Sequence, residues 1–360
     1  MKKILFIAAH RKDRAPNQRF RFEQYFDFLE QNGFKCELSY LLNEADDKLI
    51  YSRGNYFAKA GLILKNIRHR MNDLKKINDF DIIFIVREAL MIRSTYFERQ
   101  FRKSKAKIVY DFDDAIWIND TSDANKFFSW LKNPTKIKEI IKDSDLVFAG
   151  NDYLKQFALQ FNRNVIIVPT TIDTDEYKPV QPHRESSVFT IGWSGSLTTI
   201  KHFKYALPFL SELKKEYGNR INIKVIGDSS FRNGELNIQG IAWSKKNELS
   251  DLSEIDIGIM PLPDDDWAKG KCGLKGLQYM ALAIPTIMSP VGVNSQIIQD
   301  GENGFLAGTT DEWISKIKML IEQPELRSKM GNAARETVIK HYSVEANKLL
   351  YLESFKNLCR

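Results

Sequence analysis

The 360-residue sequence predicts an α/β protein made of two doubly wound parallel-sheet domains. One sign is length, since a chain this long exceeds what one core usually serves. A second is a set of short unbroken apolar runs, such as Asp81–Val86 and Asp256–Met260, that read as buried parallel strands. The third is that these runs alternate with stretches of helical spacing along the chain. Hydrophobic content of 43% and charged content of 28% fit a soluble globular enzyme and exclude a disordered one. The net charge of +7 fits either ordinary surface lysine or attraction to an anionic membrane or phosphate-bearing substrate. No zinc-finger, helix-turn-helix or RNP pattern supports nucleic acid as a partner. Cys36, Cys272 and Cys359 are scattered without metal-ligand spacing, which points to a reducing cytoplasm.

In chain order, Ile4 to Ala9 reads as the first strand, being too short for a signal segment or a membrane span. After a polar loop, Phe20, Phe22, Tyr25, Phe26 and Leu29 give a helix from about Arg19 to Asn32, closed by Gly33. Arg19 and Arg21 do not fully share a face of that helix, so an anionic substrate or solvent can take either. Residues 51–76 form a basic amphipathic helix, with Phe57, Leu62, Ile63, Leu64, Ile67 and Met71 among Arg53, Lys59, Lys65, Arg68, Arg70, Lys75 and Lys76. It reads as a packed helix with lysines outward or as a docking element for anionic lipid. Strands follow at Asp81–Val86, ending at Arg87-Glu88, and at Lys107–Tyr110, ending at Asp111-Phe112-Asp113-Asp114. Two more are expected at Leu146–Ala149 and Val165–Val168.

A polar linker is expected over Val180–Ser187. The second sheet begins with Phe189–Trp193 and continues with Ile223–Gly227, Leu236–Gly240, Asp256–Met260 and Ile284–Met288. Between the last two lie Lys269, Lys271 and Lys275 and the start of a helix, Leu274–Ala281. Lysines beside open amides at a helix start make an anion site suited to a diphosphate. Ser343–Asn357 closes the chain as a helix.

The layout of Pro263–Gly292, with Ser289-Pro290-Val291-Gly292 and Asp300–Leu306 after it, resembles the C-terminal half of a GT-B glycosyltransferase of retaining family 4. That resemblance implies a GT-B fold, two Rossmann-like domains facing a cleft: an acceptor domain over 1–180 completed by 343–360, where the last helix crosses back, and a nucleotide-sugar donor domain over 181–342. The family motif of two glutamates eight positions apart falls on Gly270 and Gln278, so both are replaced. Gly195-Ser196-Leu197-Thr198-Thr199-Ile200-Lys201 resembles the diphosphate-binding segment, with Lys201 on its lysine and Ser196 where an arginine is expected.

The resemblance therefore implies donor binding by Trp193, Gly195, Ser196, Lys201 and Gln278, with Lys271 or Lys275 standing in for the lost arginine and Gln278 meeting the ribose hydroxyls. Asp113 lies nearest the position of a family histidine beside the transferred sugar, and with Asp114 it is assigned the catalytic carboxylate role. Asp264, Asp265 and Asp266 read as ordinary loop residues, or as substitutes for the first glutamate. Arg19, Arg21 and Arg87 are assigned to the acceptor. No metal and no cofactor is expected, the nucleotide sugar being a substrate. The reading is a cytoplasmic enzyme, peripheral on the inner membrane face through 51–76, transferring a sugar to a glycan or lipid-linked acceptor in surface polysaccharide assembly. The rivals are a GT-B sugar-nucleotide epimerase and a nucleotide-binding protein that has lost turnover.

Overall fold

A computed structural model describes residues 1–52, 54–118, 134–179 and 188–360. The chain falls into two compact units, residues 1–170 with 347–360, and residues 171–346. Arg53 and the expected linker at Val180–Ser187 lie outside the described residues.

The first unit holds a six-stranded parallel sheet built from β1 (Lys2–His10), β2 (Phe34–Leu42), β3 (Ile82–Val86), β4 (Lys107–Phe112), β5 (Leu146–Ala149) and β6 (Val165–Ile167). Their order is β2-β1-β3-β4-β5-β6. The register pairs Ile4 with Ile82 and Ile83 with Ile108, so each apolar run lies beside the next. Aromatic rings fill one layer: Phe6 stacks on Phe22 at 5.0 Å, and Phe148 meets Tyr351 edge-on at 5.3 Å. Tyr351 and Phe355 come from the last helix, Val344–Leu358, and are fully buried. Burying one such ring contributes roughly 2–3 kcal/mol.

Two expectations for this unit change. The helix expected over 19–32 breaks into Pro16–Arg19, a tight turn at Glu23–Tyr25 and Phe26–Gln31. Residues 18–23 are buried without exception, so Gln18, Arg19, Arg21 and Glu23 must bond inside the protein. The broken backbone allows this, with Gln18 Nε2 donating to Glu23 Oε1 at 2.9 Å and the Asp13 amide donating to Glu23 Oε2 at 2.9 Å. The second change concerns the basic helix, which runs Tyr56–Lys76. Lys59 and Arg70 turn inward, while Phe57, Leu64 and Met71 lie outward. Arg70 donates to Asp73, Ser39 and the carbonyls of Ala8 and Ala89, which compensates its burial.

The second unit holds β7 (Phe189–Ser194), β8 (Ile221–Ile226), a ribbon of β9 (Arg232–Asn233) and β10 (Ile238–Gln239), then β11 (Ile257–Met260), β12 (Thr286–Met288) and β13 (Phe305–Leu306). Its parallel sheet has the order β13-β12-β11-β7-β8. The strand expected at Leu236–Gly240 is not part of it. Asn237 takes a left-handed φ of 51° and its amide bonds back to Gly234, so the chain turns into the antiparallel β9–β10 ribbon. The core gathers Ile191, Ile257, Ile259 and Ile287 from the sheet with Phe209 stacked on Trp313 at 4.7 Å.

Candidate functional site

In the first unit the strand order reverses between β1 and β3, and in such sheets ligands bind at the carboxyl ends beside that point. Arg87 is the first residue after β3. It holds a left-handed φ of 60°, a conformation that costs a non-glycine residue about 1–2 kcal/mol, and its amide donates to the Asp111 carbonyl at 2.9 Å. This kink aims the guanidinium at the end of β4. Nε and Nη2 donate to Asp113 Oδ1 at 2.9 and 2.6 Å, and Nη2 also reaches Asp114 Oδ2. Burial opposes the Arg87 charge, but the two carboxylates outweigh it and raise its pKa above the ordinary arginine value. The structure thus brings together Arg87, Asp113 and Asp114, all half-buried.

Arg19 and Arg21 are placed differently. Arg21 is fully buried and pairs with Asp111 through two bonds, and it also donates to the Val168 carbonyl. Its charge is used inside the core, which corrects the acceptor assignment. Burial pushes the Asp111 carboxyl above its ordinary range, with Arg21 pulling it back down. Arg19 is buried with its guanidinium 4.7 Å from the Phe20 ring.

In the second unit the order reverses between β7 and β11, so the segments 195–199 and 261–273 leave the sheet at its reversal point. Gly195 donates its amide to the Ile226 carbonyl at 2.9 Å. Gly227, with φ 126°, lies so close that a Cβ there would stand 2.3 Å from the Gly195 carbonyl oxygen. Thr199 Oγ1 accepts from the Ser196 amide at 2.9 Å, which folds 196–199 into a tight turn. Lys201 follows on the short helix Ile200–Phe203 and is exposed.

After β11, the Asp265 side chain accepts from the Ala268 amide at 2.7 Å, and Asp264 and Asp266 pair with Lys269 at 3.4 and 3.7 Å. All three are thus occupied as loop residues. Lys271 lies 4.7 Å over the Trp267 ring and Lys275 lies 4.8 Å over the Trp193 ring, both half-buried. Trp193 itself is buried and packs on Phe203 at 5.7 Å, so it is a core residue under Lys275 rather than an open pocket wall. Gln278 is buried on the Leu274–Ala281 helix. Its Nε2 donates to Tyr177 Oη at 3.1 Å and to Glu248 Oε1 at 3.2 Å.

Sequence reasoning missed Tyr177 and Glu248, which meet Gln278 from 101 and 30 positions away, and Trp243, which meets Glu248. Tyr177 Oη donates to Glu248 Oε2 at 2.7 Å and Trp243 Nε1 to Glu248 Oε1 at 2.8 Å. No sequence pattern singles out Glu248, because its partners are brought together only by the fold. Tyr279 was also missed as a clamp: the Ser194 amide donates to its hydroxyl at 2.6 Å, fixing the end of β7. Among the described residues no group of three or more His, Cys, Asp or Glu is placed to hold a metal, and no helix is long and apolar enough to cross a membrane.

Residues 173–337 match the family model of glycosyl transferases group 1. Trehalose synthase of Pyrococcus horikoshii is 33% identical over 86 residues, which are 24% of this chain and 21% of that protein. Glycosyltransferase 1 domain-containing protein 1 of Xenopus tropicalis is 26% identical over 121 residues, 34% of this chain and 35% of that protein. The matches thus span between a fifth and about a third of those relatives. Among solved structures, a glycosyltransferase from Rickettsia africae superposes with a TM-score of 0.69 at 16% identity, covering 100% of this chain and 99% of that one. Sucrose-phosphate synthase from Thermosynechococcus elongatus gives 0.71 at 12%, covering 99% of both. Anabaena Alr3699/HepE in complex with UDP and glucose gives 0.67 at 12%, also covering 99% of both. The chain has the GT-B fold, and its residues 173–337 carry the sequence pattern of the group 1 glycosyl transferases.

Proposed function

We propose that this protein is a glycosyltransferase that moves a sugar from a nucleotide-diphosphate sugar to a glycan or lipid-linked acceptor. The observation that carries the reading is the lysine-bearing reversal point of the second unit, with Lys201, Lys271 and Lys275 on segments that leave its strand ends, inside the stretch that matches the group 1 pattern. In the reaction, the bond from the anomeric carbon to the diphosphate breaks and its electron pair goes to the diphosphate. The acceptor oxygen forms the new bond, and its proton passes to the departing diphosphate. Negative charge thus builds on the leaving group, where fixed cations act most strongly. Lys201 and Lys275 fill that role, and Gln278 meets the ribose. Asp113 and Asp114, fixed by Arg87, orient the sugar or the acceptor. Retention of configuration and a place in surface polysaccharide assembly rest on the family 4 resemblance. That Alr3699/HepE was solved with UDP-glucose supports a nucleotide sugar as donor.

The test is incubation with UDP-, GDP- and ADP-sugars, with and without oligosaccharide and polyprenyl-linked acceptors. Transfer, or slow donor hydrolysis without acceptor, is the expected result. Epimerisation of the donor alone, or tight binding with no turnover, would replace this reading with one of its rivals.

The membrane is proposed as the site of work. Phe57, Leu64 and Met71 recur every seven residues and are 97%, 68% and 42% exposed. Arg68 and Lys75 are exposed on the same helix, and its one acidic residue, Asp73, is buried. Each exposed cation near an anionic bilayer contributes about 1 kcal/mol. Phe57→Glu with Leu64→Glu should therefore cut sedimentation with phosphatidylglycerol vesicles about tenfold or more, leaving thermal stability unchanged. Equal sedimentation of the variant and the parent would remove the membrane from the proposal.

A further inference from the structure

The Gln278 amide is held in one orientation by chemistry that allows no other. A carboxylate only accepts hydrogen bonds, while a primary amide carries two N–H donors on one side and an oxygen on the other. Glu248 Oε1 stands 3.2 Å from Gln278 Nε2, so the nitrogen must face it, and a reversed amide would set two acceptors against each other. Glu248 is itself fixed, because Trp243 Nε1 donates to Oε1 at 2.8 Å and Tyr177 Oη donates to Oε2 at 2.7 Å. Having given its one hydrogen to Glu248, Tyr177 Oη accepts the second N–H of Gln278 at 3.1 Å. Both amide hydrogens are thereby committed on the Glu248 side, and Oε1 is the atom turned the other way.

We infer that Glu248 is a positioning residue for nucleotide recognition: it fixes Gln278 with its amide oxygen presented to a ribose hydroxyl. This rests on the donor-site reading above. The carboxylate that the resemblance places at 278 is absent, and a buried carboxylate stands directly behind the amide instead. Its charge polarises the amide and makes the outward oxygen a better acceptor. Loss of the glutamate at 278 thus leaves recognition of the ribose in place by a two-residue route. Glu248 touches no substrate in this scheme and acts only through Gln278.

The experiment is calorimetric titration of the full chain with UDP, GDP and ADP, each beside its 2′-deoxy counterpart. The parent protein should bind one ribonucleotide about tenfold tighter than its deoxy form, the equivalent of one good hydrogen bond. In Glu248→Gln the carboxylate no longer dictates the amide orientation, so this preference should fall to about twofold while the 2′-deoxy form binds as before. The exchanged pair, Glu248→Gln with Gln278→Glu, restores a carboxylate at 278 with an amide behind it and should recover the preference. A merely structural Glu248 would weaken both nucleotides alike. An unchanged ratio in Glu248→Gln would overturn the inference and leave the donor site standing. If the parent binds none of the nucleotides, the inference and the donor reading fall together. If Glu248→Gln does not fold, Glu248→Asp decides, because the shorter side chain withdraws the carboxylate from Gln278 Nε2: a parental ratio there overturns the proposal, and a reduced ratio with the 2′-deoxy form bound as before supports it.

Discussion

Lys201→Ala should lower kcat/KM for donor turnover by about 100-fold to 1,000-fold, the usual effect of removing one preorganised group from a developing anion. Lys201 is exposed and stands outside the core of its unit, so the thermal midpoint should stay within about 2 °C of the parent. The two readouts separate chemistry from folding. Lys201→Arg keeps the charge and should recover part of the rate. Steady-state kinetics with the sugar of whichever nucleotide binds is the measurement. A Lys201→Ala enzyme within about threefold of the parent would move the diphosphate elsewhere, and Lys275 would then be the next cation to replace.

Arg21→Ala is expected to cost the first unit about 3–5 kcal/mol, the penalty for leaving a buried carboxylate without its partner. That is a large part of the roughly 5–15 kcal/mol that holds a domain together. Arg21 is fully buried, Asp111 is at 1%, and the Arg21 guanidinium also donates to the Val168 carbonyl, so one substitution disturbs three segments. The double variant Arg21→Met with Asp111→Leu removes both charges and should recover much of the loss, because a well-packed apolar pair often equals a buried ion pair. Hydrogen exchange of the β4 amides would report both results. Full protection in Arg21→Ala would show that water reaches Asp111 and that the pair is not the anchor described here.

Most of the sheet architecture was legible because buried parallel strands leave unbroken apolar runs, as at Ile82–Val86 and Ile257–Met260. β2 left no such run. It is an edge strand, and its sequence FKCELSYLL mixes buried and exposed positions. The 19–32 segment misled for a related reason: a helical spacing of aromatics hid that the polar residues between them are buried as well. Arg87, Asp113 and Asp114 pair because parallel neighbours bring the carboxyl ends of β3 and β4 together, and those strand ends were legible in the sequence. Arg21 and Trp193 were not, because a sequence shows that a side chain is charged or aromatic but not which way it turns. Glu248 was beyond reach for a different reason. Its meaning lies in Tyr177, Trp243 and Gln278, which only the fold assembles.

The last helix has a consequence for how the protein is made. Tyr25, near the start of the chain, stacks on Tyr351 at 4.2 Å, and Phe84 and Phe148 both close on Phe355. Residues 171–346, by contrast, are contiguous and complete as soon as they leave the ribosome. The unit whose synthesis starts first is therefore the one finished last. Until the final turns of helix emerge, its sheet carries an uncovered aromatic face, a state that exposes a nascent chain to aggregation and chaperone capture. Removing Tyr351 and Phe355 by truncation is therefore expected to destabilise the amino-terminal unit.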